Sequence, residues 1–216
     1  MGHLHFHIPR ILNFYHDYVK DHDLLYFLKK TEDYYSPGTL ARLTQHHSAS
    51  VRRASVLALN TLGNYRQNAI LAASLHDPDT LVSILAEAGI KMLWKKDGTA
   101  ENQHILHEII QSIHSEKLHQ AISLATHQIQ VIPTFAEMWH QRGNAWYQLN
   151  NYSQAVTDYS HVLKLNPYHF VAASQLGFTF LHLNKPKRAR AAFRQALRIN
   201  PSLKNVQIQL KLLKTR

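Results

Sequence analysis

Two stretches of this chain can be laid over each other without a gap: AEMWHQRGNAWYQLNNYSQAVTDYSHVLKLNP, from Ala136 to Pro167, and FVAASQLGFTFLHLNKPKRARAAFRQALRINP, from Phe170 to Pro201. Gly143 pairs with Gly177, Trp146 with Phe180, Ala155 with Ala189, Tyr159 with Phe193 and Pro167 with Pro201, and every pair differs by 34 (201 − 167). A fixed period of this length marks stacked supersecondary units, none of which can bury its apolar face alone. The glycine lets two helices of a hairpin approach closely, and the aromatic three residues later fills the gap above it. The alanine permits close packing of the second helix, and the aromatic four residues on lies one turn along the same face. The Asn-Pro pair ends that helix, because proline disfavours helix at the residue before it. Asn150-Asn151 and Asn184-Lys185 provide the turns within each hairpin.

This spacing strongly resembles the tetratricopeptide repeat family over about 136–201. Two positions depart from its usual pattern: Arg142 stands where a leucine is usual, and Ala173 replaces the tryptophan present as Trp139. Subtracting 34 again aligns Ala121 with Ala155, Ala125 with Tyr159 and Pro133 with Pro167, a degenerate copy with Ile109 at the glycine position. After Pro201, Leu203, Val206, Leu210 and Leu213 form one stripe of a closing helix over 202–216, which would cover the last apolar face. The first half carries a second pattern. Val51 aligns with Val82, Ser55 with Ala86 and Ala58 with Gly89, 31 apart (82 − 51), each group following a polar turn and preceded by short leading helices at 39–45 and 66–75. This resembles HEAT repeats. Pro9 to Lys30 reads as an aromatic-rich N-terminal helical cap. The expected fold is all-α, an α-α superhelical solenoid of helical hairpins, HEAT-like and then tetratricopeptide. The expected boundaries are 1–96 for the cap and HEAT-like repeats and 97–216 for the tetratricopeptide part, the latter divided into 102–135, 136–169, 170–203 and the closing helix.

Chemistry is hard to build from these residues. There is no cysteine, so thiolate sites, disulfides and cysteine nucleophiles are excluded. With seven glycines there is little material for a phosphate cradle, and no GxSxG elbow or paired-carboxylate context appears. Histidine is the oddity at 17. His3, His5 and His7 would share one face only in an extended strand; His104, His107 and Glu108 lack an HExxH pattern; His16-Asp17 and His22-Asp23 lack the further ligands a metal-dependent phosphohydrolase needs. The reading is no enzyme, no catalytic residue, no metal and no cofactor. No apolar run approaches a membrane span, and the start lacks the basic region and apolar core of a secretory signal, so the expected home is the cytoplasm.

A binding role remains. The resemblance implies that the first helix of each hairpin lines a concave groove. That groove set is Glu137, His140, Gln141, Asn144, Tyr147 and Gln148, then Val171, Ser174, Gln175, Phe178, Leu181 and His182. Its amides and histidines can bond a peptide backbone, and Tyr147, Phe178 and Leu181 are apolar anchors. The carboxylate clamp of chaperone cochaperones is matched only at Asn144. His140 replaces its lysine, Gln175 replaces its second asparagine, and Asn205 and Gln209 lack charge, so chaperone-tail binding is not assigned. The formal charge is +10, and its distribution is uneven: eleven basic residues and no acidic one follow Asp158, against 13 basic and 14 acidic residues in 1–158. Lys187, Arg190, Arg194 and Arg198 fall three or four apart, hence on one helical stripe. The expected partner is a protein or peptide segment in the groove. The alternative is nucleic acid on the basic stripe, which counterion release would reward.

Overall fold

The structure is a computed structural model that describes residues 9–213. His3, His5 and His7, and the end of the predicted closing helix from Lys214 to Arg216, lie outside the described residues. Among the described residues every regular element is helical, and no helix is long and apolar enough to cross a membrane. The chain divides into two compact units, one ending at Leu93 and the other beginning at Trp94.

The first unit contains α1 (Ile11–Asp21), α2 (Leu24–Tyr34), α3 (Pro37–Leu43), α4 (Ala49–Leu62), a single 3-10 turn (Tyr65–Gln67), α5 (Asn68–Ser74) and most of α6 (Thr80–Lys95). The aromatic cap spans two helices. His22 takes a left-handed conformation (φ 57°) and ends α1, and the Asp23 side chain then accepts from the Tyr26 N–H to start α2. The core runs through Ile11, Phe27, Leu40, Val51, Leu59 and Leu71 to Val82 and Ile90, all fully buried. Two arginines at the start of α4 tie it to the turn before α6. Arg52 clamps Asp77 with two bonds (2.7 and 2.8 Å), and Arg53 clamps Asp79 likewise (2.9 and 2.5 Å). The Arg53 hydrogen bonds hold the Asp79 carboxyl down at about 2.

The second unit is a run of antiparallel hairpins. α7 (Ala100–His114) pairs with α8 (Leu118–Val131), α9 (Ala136–Gln148) with α10 (Tyr152–Leu165) and α11 (Phe170–His182) with α12 (Pro186–Ile199); α13 (Lys204–Leu212) closes the run. All three hairpins turn in the same way. Glu116, Asn150 and Asn184, each 34 from the next, have φ of 58°, 60° and 55°. The following N–H reaches back to the carbonyl five residues earlier: Lys117 to Ser112 (2.8 Å), Asn151 to Trp146 (2.9 Å) and Lys185 to Phe180 (2.8 Å). The glycines sit where the hairpins are tightest. A Cβ on Gly143 would lie 2.8 Å from the Tyr159 ring, and one on Gly177 would run into Phe193 more closely still. Ala155, Ala189, Tyr159 and Phe193 are fully buried in the shared core.

Candidate peptide groove and its buried polar network

The first helices of the two matched hairpins carry the predicted groove set, and the structure divides that set by depth. Glu137, His140 and Gln141, in the first half of α9, are buried. Asn144, Tyr147, Val171, Ser174, Gln175, Phe178 and Leu181 are half-buried, and Gln148 and His182 are exposed. Side chains bridge α9 to α11 at two places. The His140 Nε2 lies 2.7 Å from Gln175 Oε1, and the Tyr147 hydroxyl lies 2.9 Å from His182 Nε2.

A buried carboxylate survives only where its oxygens are bonded, and Glu137 has such a set. Its Oε1 lies 3.0 Å from His140 Nδ1 and accepts from the Gln141 amide at 2.7 Å. Its Oε2 faces His169 Nε2 at 3.1 Å. The network continues outward: Asn144 donates to Gln141 Oε1 (3.0 Å), and the Tyr159 hydroxyl donates to Asn144 Oδ1 (2.9 Å). Burial alone would push the Glu137 carboxyl up. The charge and hydrogen bond of His140, with the bond from His169, outweigh it and hold the carboxyl well below the usual range.

His169 was absent from the predicted set, yet it is the most enclosed member of the cluster. Trp94, which belongs to the same unit, stacks on its ring at 3.9 Å, and none of its surface is exposed. Its Nδ1 accepts from the Ala172 N–H (3.0 Å) and so caps α11. The ring proton therefore sits on Nε2 and points at Glu137, a hydrogen bond from a neutral imidazole rather than an ion pair. Burial is the main cause, with the neighbouring His140 adding to it, and together they take His169 down to about 4. His140 joins the two helices through both ring nitrogens, Nδ1 facing Glu137 and Nε2 facing Gln175.

Glu137, His140 and His169 place one ligand atom each within 4.8 Å of one another, a spacing a metal ion could use. The hydrogen bonds argue otherwise. Ligation by His169 Nε2 would displace its proton while Nδ1 stays committed to a backbone N–H, and the flanking Gln141 and Gln175 are poor ligands for the four-coordinate site zinc takes. The cluster is built as a proton-bearing network. Its sequence signal is faint, since His140 and His169 are 29 apart (169 − 140) on different helices and fit no metal-site spacing. The histidines the sequence did single out behave differently: His104 meets Glu108 at 3.3 Å on an exposed face.

Arg142, the residue that departs from the usual leucine, has its own partner. It grips Asp158 with two bonds (2.9 and 2.7 Å), donates to the Thr126 hydroxyl (3.1 Å) and lies over the Trp139 ring. The predicted basic stripe is uneven. Lys187, Arg194 and Arg198 are exposed, whereas Arg190 is half-buried and donates to the Leu213 carbonyl. Arg190 is thus tied into the closing helix and is not a free cation of the stripe.

Tetratricopeptide-repeat family models match residues 136–169 and 172–203. The chain carries two tetratricopeptide repeats. It is similar to a TPR repeat-containing protein of Rhizobium etli, at 26% identity over 137 residues that span 63% of this chain and 66% of the relative. It is also similar to the small glutamine-rich tetratricopeptide repeat-containing protein 2 of Saccharomyces cerevisiae, at 35% identity over 79 residues, 37% of this chain and 23% of the relative. The matches thus span less than two thirds of either relative's length. Among solved structures, the first TPR of Spaghetti (RPAP3) bound to an HSP90 peptide superposes with a TM-score of 0.50 at 19% identity, covering 51% of this chain and 88% of that one.

Proposed function

We propose that the chain is a non-catalytic interaction scaffold of the cytoplasm that takes up a peptide or protein segment along α9 and α11. The HEAT-like first unit would be a second docking surface or spacer. One observation carries this reading: Tyr147, Phe178 and Leu181 are only half-buried on the two first helices, alongside amides and histidines already fixed by the network beneath. Rigid aromatic anchors above preorganised polar groups are what a groove needs to bind an extended segment without a large ordering cost. The Spaghetti domain, of like fold, holds a peptide.

The test is capture of partners by the wild-type chain and by Tyr147→Ala and Phe178→Ala, with thermal melts to check folding. At least one specific partner should be lost about tenfold in the variants, a change typical of a hot-spot truncation. Retention of every partner by two folded variants would end the groove reading. A second reading rests on the three exposed cations Lys187, Arg194 and Arg198. It expects steeply salt-dependent binding of single-stranded RNA that Arg194→Glu with Arg198→Glu removes.

A further inference from the structure

The corner at which each hairpin turns meets the next first helix, and the two tetratricopeptide repeats treat it differently. In the earlier repeat aromatic rings fill it. Tyr152 stacks on His182 at 4.5 Å, and Tyr147 meets Tyr152 edge-on at 5.6 Å while its hydroxyl bonds His182. One period later Tyr147 becomes Leu181, Tyr152 becomes Pro186, Ser153 becomes Lys187 and Val156 becomes Arg190. There the corner opens into a cavity of about 730 Å³ between the end of α11, the start of α12 and the end of α13, within the roughly 300–1,000 Å³ range of small-ligand sites.

The lining has a definite chemistry. Lys187 and Arg190 supply two cations, and no acidic residue stands in the lining or anywhere after Asp158. The Arg190 Nε is buried and makes no hydrogen bond among the described residues, an unmet donor of the kind a carboxylate satisfies. Asn184 and Gln209 add neutral hydrogen-bonding groups at the rim, and Leu181 and Leu212 give an apolar wall.

We propose that this cavity is a second anchoring site for the bound segment, taking an acidic side chain followed by an apolar one. The inference rests on the reading of the second unit as a peptide-binding array and adds the charge of the partner. The carboxylate would sit between Lys187 and the Arg190 Nε, with the apolar side chain against Leu181 and Leu212. The site is separate from the half-buried face of α9, where Glu137 and the histidines are committed to one another.

Backbone amide NMR on the full chain tests this with capped dipeptides. Acetyl-Asp-Leu-amide at about 10 mM, suited to weak millimolar binding, should shift the resonances of Leu181, Asn184, Lys187 and Gln209. Acetyl-Asn-Leu-amide and acetyl-Asp-Ser-amide should each bind about tenfold more weakly, as expected on losing a charge-assisted bond or a buried leucine. Lys187→Gln, at an exposed position, should weaken the first probe by a similar factor, and Arg190→Gln should do so if its melt is normal. The proposal is overturned if no shifts appear, if the Asp and Asn probes bind alike, or if inorganic phosphate and a DNA oligonucleotide shift Arg194 and Arg198 as strongly as the cavity. Tyr147→Ala should leave dipeptide binding unchanged, which separates this site from the groove: loss of a partner in that variant, with no dipeptide binding, keeps the groove and removes the cavity.

Discussion

The two tetratricopeptide repeats share a backbone plan and differ in what they bury. The earlier one encloses charge: Glu137, His140 and Asp158 lie inside it, with Arg142 reaching in from the flank. The later one has Val171, Ser174, Ala192 and Leu176 at the same four places. The alanine, glycine and ring positions that set the hairpin geometry are alike in both. The packing frame accepts either filling, provided that each buried polar group finds its partner. The earlier repeat is therefore tuned by hydrogen bonding and the later one by apolar contact.

The largest effect should come from converting one repeat towards the other. Asp158→Ala alone should cost about 3–5 kcal/mol in urea unfolding, because the Arg142 guanidinium is left uncompensated. The double change Asp158→Ala with Arg142→Leu, which installs the residues of the later repeat, should recover most of that loss. Failure to recover would mean that the bridge to Thr126 and the Trp139 contact matter more than the charge pair.

Acid should find the earlier repeat first. His169 is about 4 in the folded chain against 6.5 when free, so the unfolded chain binds the proton more readily. Its contribution to stability is complete above pH 6.5 and is lost as pH falls from 6.5 to about 4, by about 3 kcal/mol at about 1.4 kcal/mol per unit. The depressed Glu137 carboxyl acts in the same direction at lower pH. His169→Asn keeps a residue able to cap α11 and should flatten the stability profile between pH 6.5 and 4; an unchanged slope would show that another group titrates there.

The glycines of the two repeats should give smaller effects. Gly177→Ala should cost about 1–3 kcal/mol by overpacking, and Gly143→Ala somewhat less, because Tyr159 stands further off than Phe193. Chemical unfolding of the two variants in parallel decides the order. The smallest effect is a gain. Glu116 holds a left-handed conformation that asparagine tolerates better, so Glu116→Asn should raise stability by about 1 kcal/mol, visible as a higher melting temperature.

The frame was legible in the sequence because close packing leaves a residue-type signature. Gly143 and Gly177 can be nothing larger, and the rings of Tyr159 and Phe193 must fill what they leave. The break between α1 and α2 was not read. Aromatic residues continue across it, and only the Asp23 cap marks the restart. The burial of Glu137 was equally hidden. A glutamate in the first turn of a helix reads as a solvated residue favouring the helix dipole, and His169, 32 residues away, completes with His140 and Gln141 the set that makes its interior position tenable. The unevenness of the basic stripe escaped for a similar reason, since helical spacing groups Arg190 with its neighbours while the carbonyl of Leu213 draws it inward.

The shared turn has a practical consequence. Because Glu116, Asn150 and Asn184 pass the chain through one left-handed step and fasten it with the same backward bond, the three connections are interchangeable parts. A loop grafted at Asn150-Asn151 should emerge with the same local geometry as one grafted at Asn184-Lys185, displaced by one repeat. The molecule thereby offers regularly spaced attachment points that can be altered one at a time, leaving the helices between them untouched.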